Sequence, residues 1–243
     1  MIKLLIILLL LVSPGYTFDL EEFKVKYGLP SNENIILKDE FVLSYNNNYK
    51  IPNWVAYVLT SENVSIKRTR QGSWSEEESV ESMFRATNKD YYKTGYDRGH
   101  FLPSAAMVRS SEAMKSTFVF SNAAPQIPSF NRGIWKSLES NVRKWAIEHG
   151  EVVVFTGAYF SRGRKKTIGN KVGVPHYWFK VIYDPNSQEA IAFRMKNTEY
   201  ASGEDYYNYR VSVDYIEKYA HLDFLAPLED GLENEIESKI GNW

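Results

Sequence analysis

Residues 53 to 59, Asn-Trp-Val-Ala-Tyr-Val-Leu, are aromatic and β-branched and lie between Pro52 and a polar stretch, a pattern that predicts a core strand. Val152-Val153-Val154-Phe155 after Gly150 predicts a second. Val172 to Tyr183 and Glu189 to Met195 predict two more, joined by an Asp184-Pro185-Asn186 turn. Ile134, Trp135, Leu138, Val142, Trp145 and Ala146 recur at the spacing that turns one face of a helix toward a core. Helical spacing returns around Val213 to Tyr219 and Leu232 to Ile240, and a polar helix is predicted over Ser110 to Lys115. Thr117 to Ser121 reads as a short strand. Residues 61–93 are polar and irregular and predict loop, and Asn122 to Phe130, with Pro125 and Pro128, predicts a turn-rich bridge. Strands and helices do not alternate strictly, which favours an α+β fold with a largely antiparallel sheet. No internal repeat is visible.

The same patterning isolates the beginning of the chain. Lys3, the apolar run Leu4 to Val12 and then Ser13-Pro14-Gly15 have the layout of a secretory signal peptide. Residues 1–18 are therefore expected to be a cleaved leader and residues 19–243 a single domain, secreted or otherwise extracytoplasmic. The apolar run falls short of the roughly 20 residues that span a bilayer, so no stable membrane anchor is expected. No Arg precedes Arg68, unlike an Arg-rich mitochondrial presequence.

A chain of 243 residues can bury a full core without covalent staples. The absence of cysteine excludes disulfides, a thiol nucleophile and a thiolate metal site. Asn63-Val64-Ser65 is an N-glycosylation sequon. The formal net charge is −1, and it moves one unit further negative without Lys3, so any phosphate recognition must be local. Lys67-Arg68-Thr69-Arg70 and Arg162 to Lys166 are the basic clusters that could supply it, or they are solvated loops.

The most specific chemistry lies in Asp97-Arg98-Gly99-His100, which follows Gly95-Tyr96, and in Asn131 at the mouth of the predicted helix. Further blocks follow in order: Ser121-Asn122-Ala123-Ala124-Pro125-Gln126, Asn131-Arg132-Gly133-Ile134-Trp135 with Glu139 and Arg143, Phe155-Thr156-Gly157, and Val174 to Val181. Through these blocks, spread over residues 50–228, the chain resembles the DNA/RNA non-specific endonucleases, the ββα-metal nucleases, and among them the endonuclease G type.

The resemblance implies a ββα-metal nuclease fold, a largely antiparallel central sheet flanked by helices. It also implies metal-dependent hydrolysis of DNA and RNA to 5′-phosphate and 3′-hydroxyl ends. It makes His100 the general base and Asn131 the ligand of Mg²⁺, with Mn²⁺ as a substitute. The residue types suit those roles: imidazole, with an ordinary pKa of about 6.5, is a competent base at neutral pH. A hard cation that keeps most of its waters needs only one or two protein oxygens. Taken alone, His100 could equally be a structural histidine and Asn131 a helix N-cap.

Glu139 stands about 12 Å beyond Asn131 at 1.5 Å of helix rise per residue, so it is expected to act through water on the metal. An intrahelical pair with Arg143 is the alternative, worth about 0.2–0.5 kcal/mol. The resemblance makes Arg143, Arg70 and Arg98 phosphate contacts, for which a forked, always-charged guanidinium is suited. Asp97 is expected to orient its loop or Arg98, and Asn122 to support the site by hydrogen bonding. His149 and His221 read as cations at helix C-termini, and His176 has no derived role. The expected partners are DNA and RNA, gripped through the phosphate backbone, and a second copy of the chain, since this type often forms homodimers. The competing reading is a catalytically inactive secreted nucleic-acid-binding protein of the same fold. Phospholipase D-type chemistry is excluded, because no His is followed by Lys two positions later.

Overall fold

A computed structural model describes residues 17–163 and 165–243, so the expected leader lies, up to residue 16, outside the described residues. The chain begins with helix α1 (Leu20–Tyr27) and strands β1 (Ile35–Leu37), β2 (Val42–Asn46) and β3 (Ile51–Thr60). Short helices α2 (Ser61–Ser65) and α3 (Asn88–Tyr91) lead to β4 (Asp97–His100), α4 (Ser111–Ser116), β5 (Ala123–Gln126) and α5 (Pro128–Phe130). The long helix α6 (Lys136–His149) is followed by β6 (Glu151–Tyr159), β7 (Thr167–Ile168), β8 (Val172–Gly173), β9 (Tyr177–Asp184) and β10 (Glu189–Lys196). Strand β11 (Arg210–Val211), α7 (Val213–Ala220) and α8 (Asp230–Ser238) end the fold.

Seven strands form one sheet in the order β1-β2-β3-β6-β9-β10-β11, and every pair in it is antiparallel. Side chains alternate across it, as strand geometry requires. Val55 and Tyr57 of β3, Val152 and Val154 of β6, and Trp178 and Ile182 of β9 face the core that α6 closes with Trp135, Leu138, Val142 and Trp145. Trp54, Ala56, Val153, Phe155, Phe179 and Val181 face the other way, under Phe23 of α1, Ile216 of α7 and Ile236 of α8. Both faces are apolar, which is why these strands read as nearly continuous hydrophobic runs. No helix among the described residues is long and apolar enough to cross a membrane.

Several local expectations are corrected. Thr117 to Ser121 is not a strand: Thr117 ends α4 and Phe120–Asn122 is a 3₁₀ turn, with a single parallel bridge between Val119 and Ser75. Its backbone is satisfied locally, since Asn122 Nδ2 donates to Thr117 O at 2.9 Å, and Phe118 and Phe120 pack on Trp74. The supposed bridge contains β5, which pairs with β4 in a separate two-stranded ribbon. Pro125 is tolerated there because a ribbon has only edges and needs no second ladder. Residues 172–183 are two strands rather than one, interrupted around Pro175, and the stretch 61–93 holds α2, a 3₁₀ turn and α3.

Gly157 lies in β6 beneath the Phe179 ring, where an added Cβ would stand 2.8 Å from Cε2 and nearer still to the rest of the ring edge. Gly157→Ala should therefore destabilise the protein by about 1–3 kcal/mol through overpacking. Urea titration checks this: the midpoint should fall with the slope unchanged, and an unchanged midpoint would mean that Phe179 yields freely.

Candidate active site

The β4–β5 ribbon pairs Asp97 with Gln126, Gly99 with Ala124 and His100 with Ala123. Gly99 permits this closeness, since a Cβ there would come within 2.8 Å of Gln126 Cβ. Alternation along β4 puts Arg98 and His100 on one side of the ribbon, and both line the same cleft.

His100 is 9% exposed and packs against Trp74, with ring centroids 4.6 Å apart, and against the Phe118 edge at 5.1 Å. Its Nε2 is buried without a hydrogen-bond partner, and the residue lines the cleft. Burial, and secondarily the charge of Arg70, push its pKa down to about 3, which keeps the imidazole neutral and basic at neutral pH.

Asn131 is not an N-cap: its backbone is already helical, at φ −57° and ψ −49°. It opens the turn Asn131–Trp135, where Gly133, at φ −102° and ψ −114°, breaks the helical path before α6. Asn131 Nδ2 donates to Asp97 Oδ2 at 2.9 Å, and Arg132 donates to the same carboxylate through Nε at 2.7 Å and Nη2 at 2.5 Å. Asp97 therefore positions Asn131 and Arg132 and not, as expected, Arg98. The Arg98 guanidinium instead reaches Asn88 Oδ1 at 2.7 Å and lies over the Tyr91 ring. Burial works against the Asp97 charge, but the Arg132 and Asn131 hydrogen bonds and the Arg132 and Arg98 charges outweigh it and hold the carboxyl below its ordinary range.

Asn122 is fully buried behind the ribbon, accepting from Leu102 N and donating to Leu102 O, each at 2.9 Å. It fixes the chain just after His100 without touching the cleft. On α6, Arg143 donates to the Glu139 backbone oxygen at 3.0 Å and to Ser140 Oγ at 2.9 Å, so among the described residues the alternative, a carboxylate pair with Glu139, does not form. Burial raises the Glu139 pKa against the opposing charges of Lys180, Arg143 and Arg70.

All six residues expected to act directly, Arg70, Arg98, His100, Asn131, Glu139 and Arg143, line one cleft of about 370 Å³, together with Ser104, Arg132 and Lys136. Sequence reasoning missed Arg132, beside Asn131 on the same turn, and Lys136, the first residue of α6. It also missed Lys180, which is buried beneath the cleft with Nζ 2.5 Å from Thr156 Oγ1 and 5.1 Å from the Trp135 ring centroid. Burial lowers its pKa, partly offset by Glu139. A single charge inside the apolar run of β9 was the available signal. Trp74, the wall behind His100, lies in irregular chain and gave none.

The remaining histidines stand elsewhere. His149 ends α6 with Nδ1 2.6 Å from Asp184 Oδ2, His221 is a left-handed C-cap of α7, and His176 Nδ1 accepts from Ser161 N at 3.2 Å.

The model of the DNA/RNA non-specific endonuclease family matches residues 20–231. The chain belongs to that family. It is 31% identical to a nuclease of Nostoc sp. over 226 residues, covering 88% of this chain and 81% of the relative. It is 35% identical to human mitochondrial endonuclease G over 168 residues, 65% of this chain and 57% of that one. It superimposes on the crystal structure of an EndoG/EndoGI complex with a TM-score of 0.79 at 28% identity, covering 83% of this chain and 89% of that chain. The protein is thus a DNA/RNA non-specific endonuclease of the endonuclease G type, with the ribbon, the Asn131 turn and α6 forming the ββα unit of a metal nuclease fold.

Family membership implies a divalent metal ion, and the residues present suit one. Asn131 commits its amide nitrogen to Asp97, so its Oδ1 is free of hydrogen bonds among the described residues. A neutral imidazole and the Glu139 carboxyl line the same cleft. The Asn131 and Glu139 oxygens are donors that a hard, mostly hydrated cation accepts, directly or through its waters, and the neutral imidazole beside them adds no competing positive charge.

Because the His100 pKa is lower in the folded chain than its ordinary 6.5, the unfolded chain takes up the proton first as pH falls. Its contribution to stability is therefore lost from about pH 6.5 toward pH 3 at about 1.4 kcal/mol per pH unit. Compared with His100→Gln by urea unfolding, the native protein should lose about 2 kcal/mol more between pH 7 and pH 5. A constant gap between the two proteins would mean that His100 is not held neutral.

Proposed function

We propose that this endonuclease hydrolyses DNA and RNA in the presence of Mg²⁺, with Mn²⁺ able to substitute, leaving 5′-phosphate and 3′-hydroxyl ends. The observation that carries the reading is the convergence of a neutral His100 and a partner-free Asn131 Oδ1 on one cleft rich in Arg and Lys.

In this reading Asn131 Oδ1 would hold the ion, with Asp97 fixing its amide. Bound there, the ion would supply positive charge to the phosphodiester, and the departing 3′ oxygen takes its proton from solvent water. His100 takes a proton from water as that water attacks phosphorus in line. Its burial against Trp74 and Phe118 keeps the ring from being protonated beforehand. Arg70, Arg98 and Arg143 bind phosphoryl oxygens, which spreads the charge of the transition state over fixed guanidinium groups. Glu139 accepts hydrogen bonds from water in the cleft and orients it. The competing reading, an inactive binder, has nothing in the cleft to favour it, since every expected group is present. Export through the leader at residues 1–18 follows from its single Lys and short apolar run, and the family match begins only after it, at residue 20.

Cleavage of supercoiled plasmid and of RNA by the purified protein tests the reading. Both substrates should be cut with Mg²⁺ and spared with EDTA, and end-labelling should find 5′-phosphates. His100→Ala should lower kcat/KM by about 10²–10⁴-fold. Asn131→Ala should instead raise the Mg²⁺ needed for half-maximal rate. Tight binding without cleavage by the native protein would support the binder, and 3′-phosphate products would remove His100 from the proposed step. Because recognition runs through phosphates, KM should also rise steeply between about 50 and 200 mM salt. A flat response would count against backbone recognition.

A further inference from the structure

On the face of the sheet opposite α6, the last two helices bring acidic side chains together. Asp214 and Glu217 lie one turn apart on α7, Glu237 comes from α8, and one oxygen of each lies within 4.8 Å of the others. Asp223 and Glu233 add negative charge around them. Glu237 is only 5% exposed, and its Oε1 is buried with no hydrogen-bond partner. Glu217 Oε1 accepts from Phe224 N at 2.6 Å. Among the described residues none of these five carboxylates forms an ion pair.

Buried carboxylates are normally paired, because desolvation and like-charge repulsion both oppose them. Here Glu237 is buried beside Asp214 and Glu217, with Asp223 and Glu233 around them and no ion-pair partner among the described residues, so the cluster lacks positive charge. The fold gives α8 little else to dock with: its buried residues are Ile236 and Glu237.

We propose that Asp214, Glu217 and Glu237 bind a divalent, oxygen-preferring cation, Ca²⁺, that clips α8 to α7. Ca²⁺ takes oxygen ligands at about 2.3–2.6 Å, so ligands across the ion stand about 5 Å apart, which matches the span of this cluster. The donors are all carboxylate oxygens, with neither imidazole nor thiolate among them, which disfavours the softer transition metals. Exposed Asp214 leaves the site open to solvent for entry, while Glu237 forms its floor. In a chain without cysteine, a cation that binds only the folded state ties down the C-terminal helix as a disulfide would elsewhere.

The test uses the full chain in an Asn131→Ala background, so that an ion held in the active-site cleft is not read. After EDTA treatment and dialysis, calorimetric titration with CaCl₂ should show saturable binding. Thermal unfolding should shift up by roughly 5–10 °C when Ca²⁺ is at about a hundred times Kd. Glu237→Gln keeps the shape of the side chain and removes its charge, and Asp214→Asn alters only the exposed rim. Each should raise Kd by at least about tenfold and abolish most of the thermal gain. Without Ca²⁺, Glu237→Gln should be at least as stable as its parent. If Glu237→Gln does not fold, Asp214→Asn carries the test alone. Absence of Ca²⁺ binding at millimolar concentration, or unchanged Kd in the substituted proteins, would overturn the assignment.

Discussion

The carboxylate of Asp97 joins two parts of the chain that have no covalent reason to meet. One oxygen accepts from both Asn131 Nδ2 and Arg132 Nε, and the other from Arg132 Nη2. The forked contact with Arg132 is charge-assisted and directional, yet the Arg132 side chain is 72% exposed, so as an ion pair it contributes at most about 1 kcal/mol. Its value is geometric. An amide whose nitrogen is held by Asp97 must turn its oxygen away from Asp97, which leaves the Asn131 oxygen without a hydrogen bond among the described residues. The same contact locks the ribbon against the turn that begins α6, so the spacing between His100 and Asn131 is set by a hydrogen-bonded carboxylate at the base of both.

His100 shows the opposite economy. Packing against Trp74 and Phe118 removes it from water and leaves Nε2 without a partner, a cost of about 1–3 kcal/mol for a buried polar atom. A protein selected for stability alone would place a hydrophobic side chain there. The return is a ring held neutral among arginines, which would otherwise compete with it for the anionic substrate without accepting a proton. The overall charge of −1 hides this arrangement, because Arg70, Arg98, Arg132, Lys136 and Arg143 line one cleft beside a single carboxylate, Glu139, while acids gather elsewhere, as between α7 and α8.

The central strands were legible in the sequence as apolar runs because both of their faces are buried, and α6 because one face is buried and its side chains repeat with that period. Asp97 to His100 and Asn131 were legible as motif. Their connection was not, because a carboxylate that bonds 34 residues away leaves no local trace, and Asp97 was accordingly expected to orient only its own loop or its neighbour Arg98. Strand β5 was hidden by Pro125, a residue that argues against strands in general but not against one edge of an isolated ribbon. Phe118 and Phe120 looked like alternating strand residues when they are the aromatic wall around His100, bent inward by local hydrogen bonds from Thr117 and Asn122.

Apart from the break near Pro175 and the overlooked Lys180, the misreadings fall in one place, the chain between β3 and α6, which also contributes Arg70, Trp74, Arg98, His100 and Asn131. The coincidence has a physical cause. A regular strand or helix can present a functional group only at its own period, whereas a site for phosphate needs cations, a base and a neutral oxygen to converge from several directions. The sheet and α6 supply the rigid reference, and through Glu139 and Arg143 one face of α6 enters the cleft directly. The irregular segment is braced by polar struts rather than by apolar periodicity: buried Asn122 to Leu102 within it, and part-buried Asp97 to Asn131 at the turn that leads into α6. Local pattern weakens there because convergence, not repetition, determines which residues the fold requires.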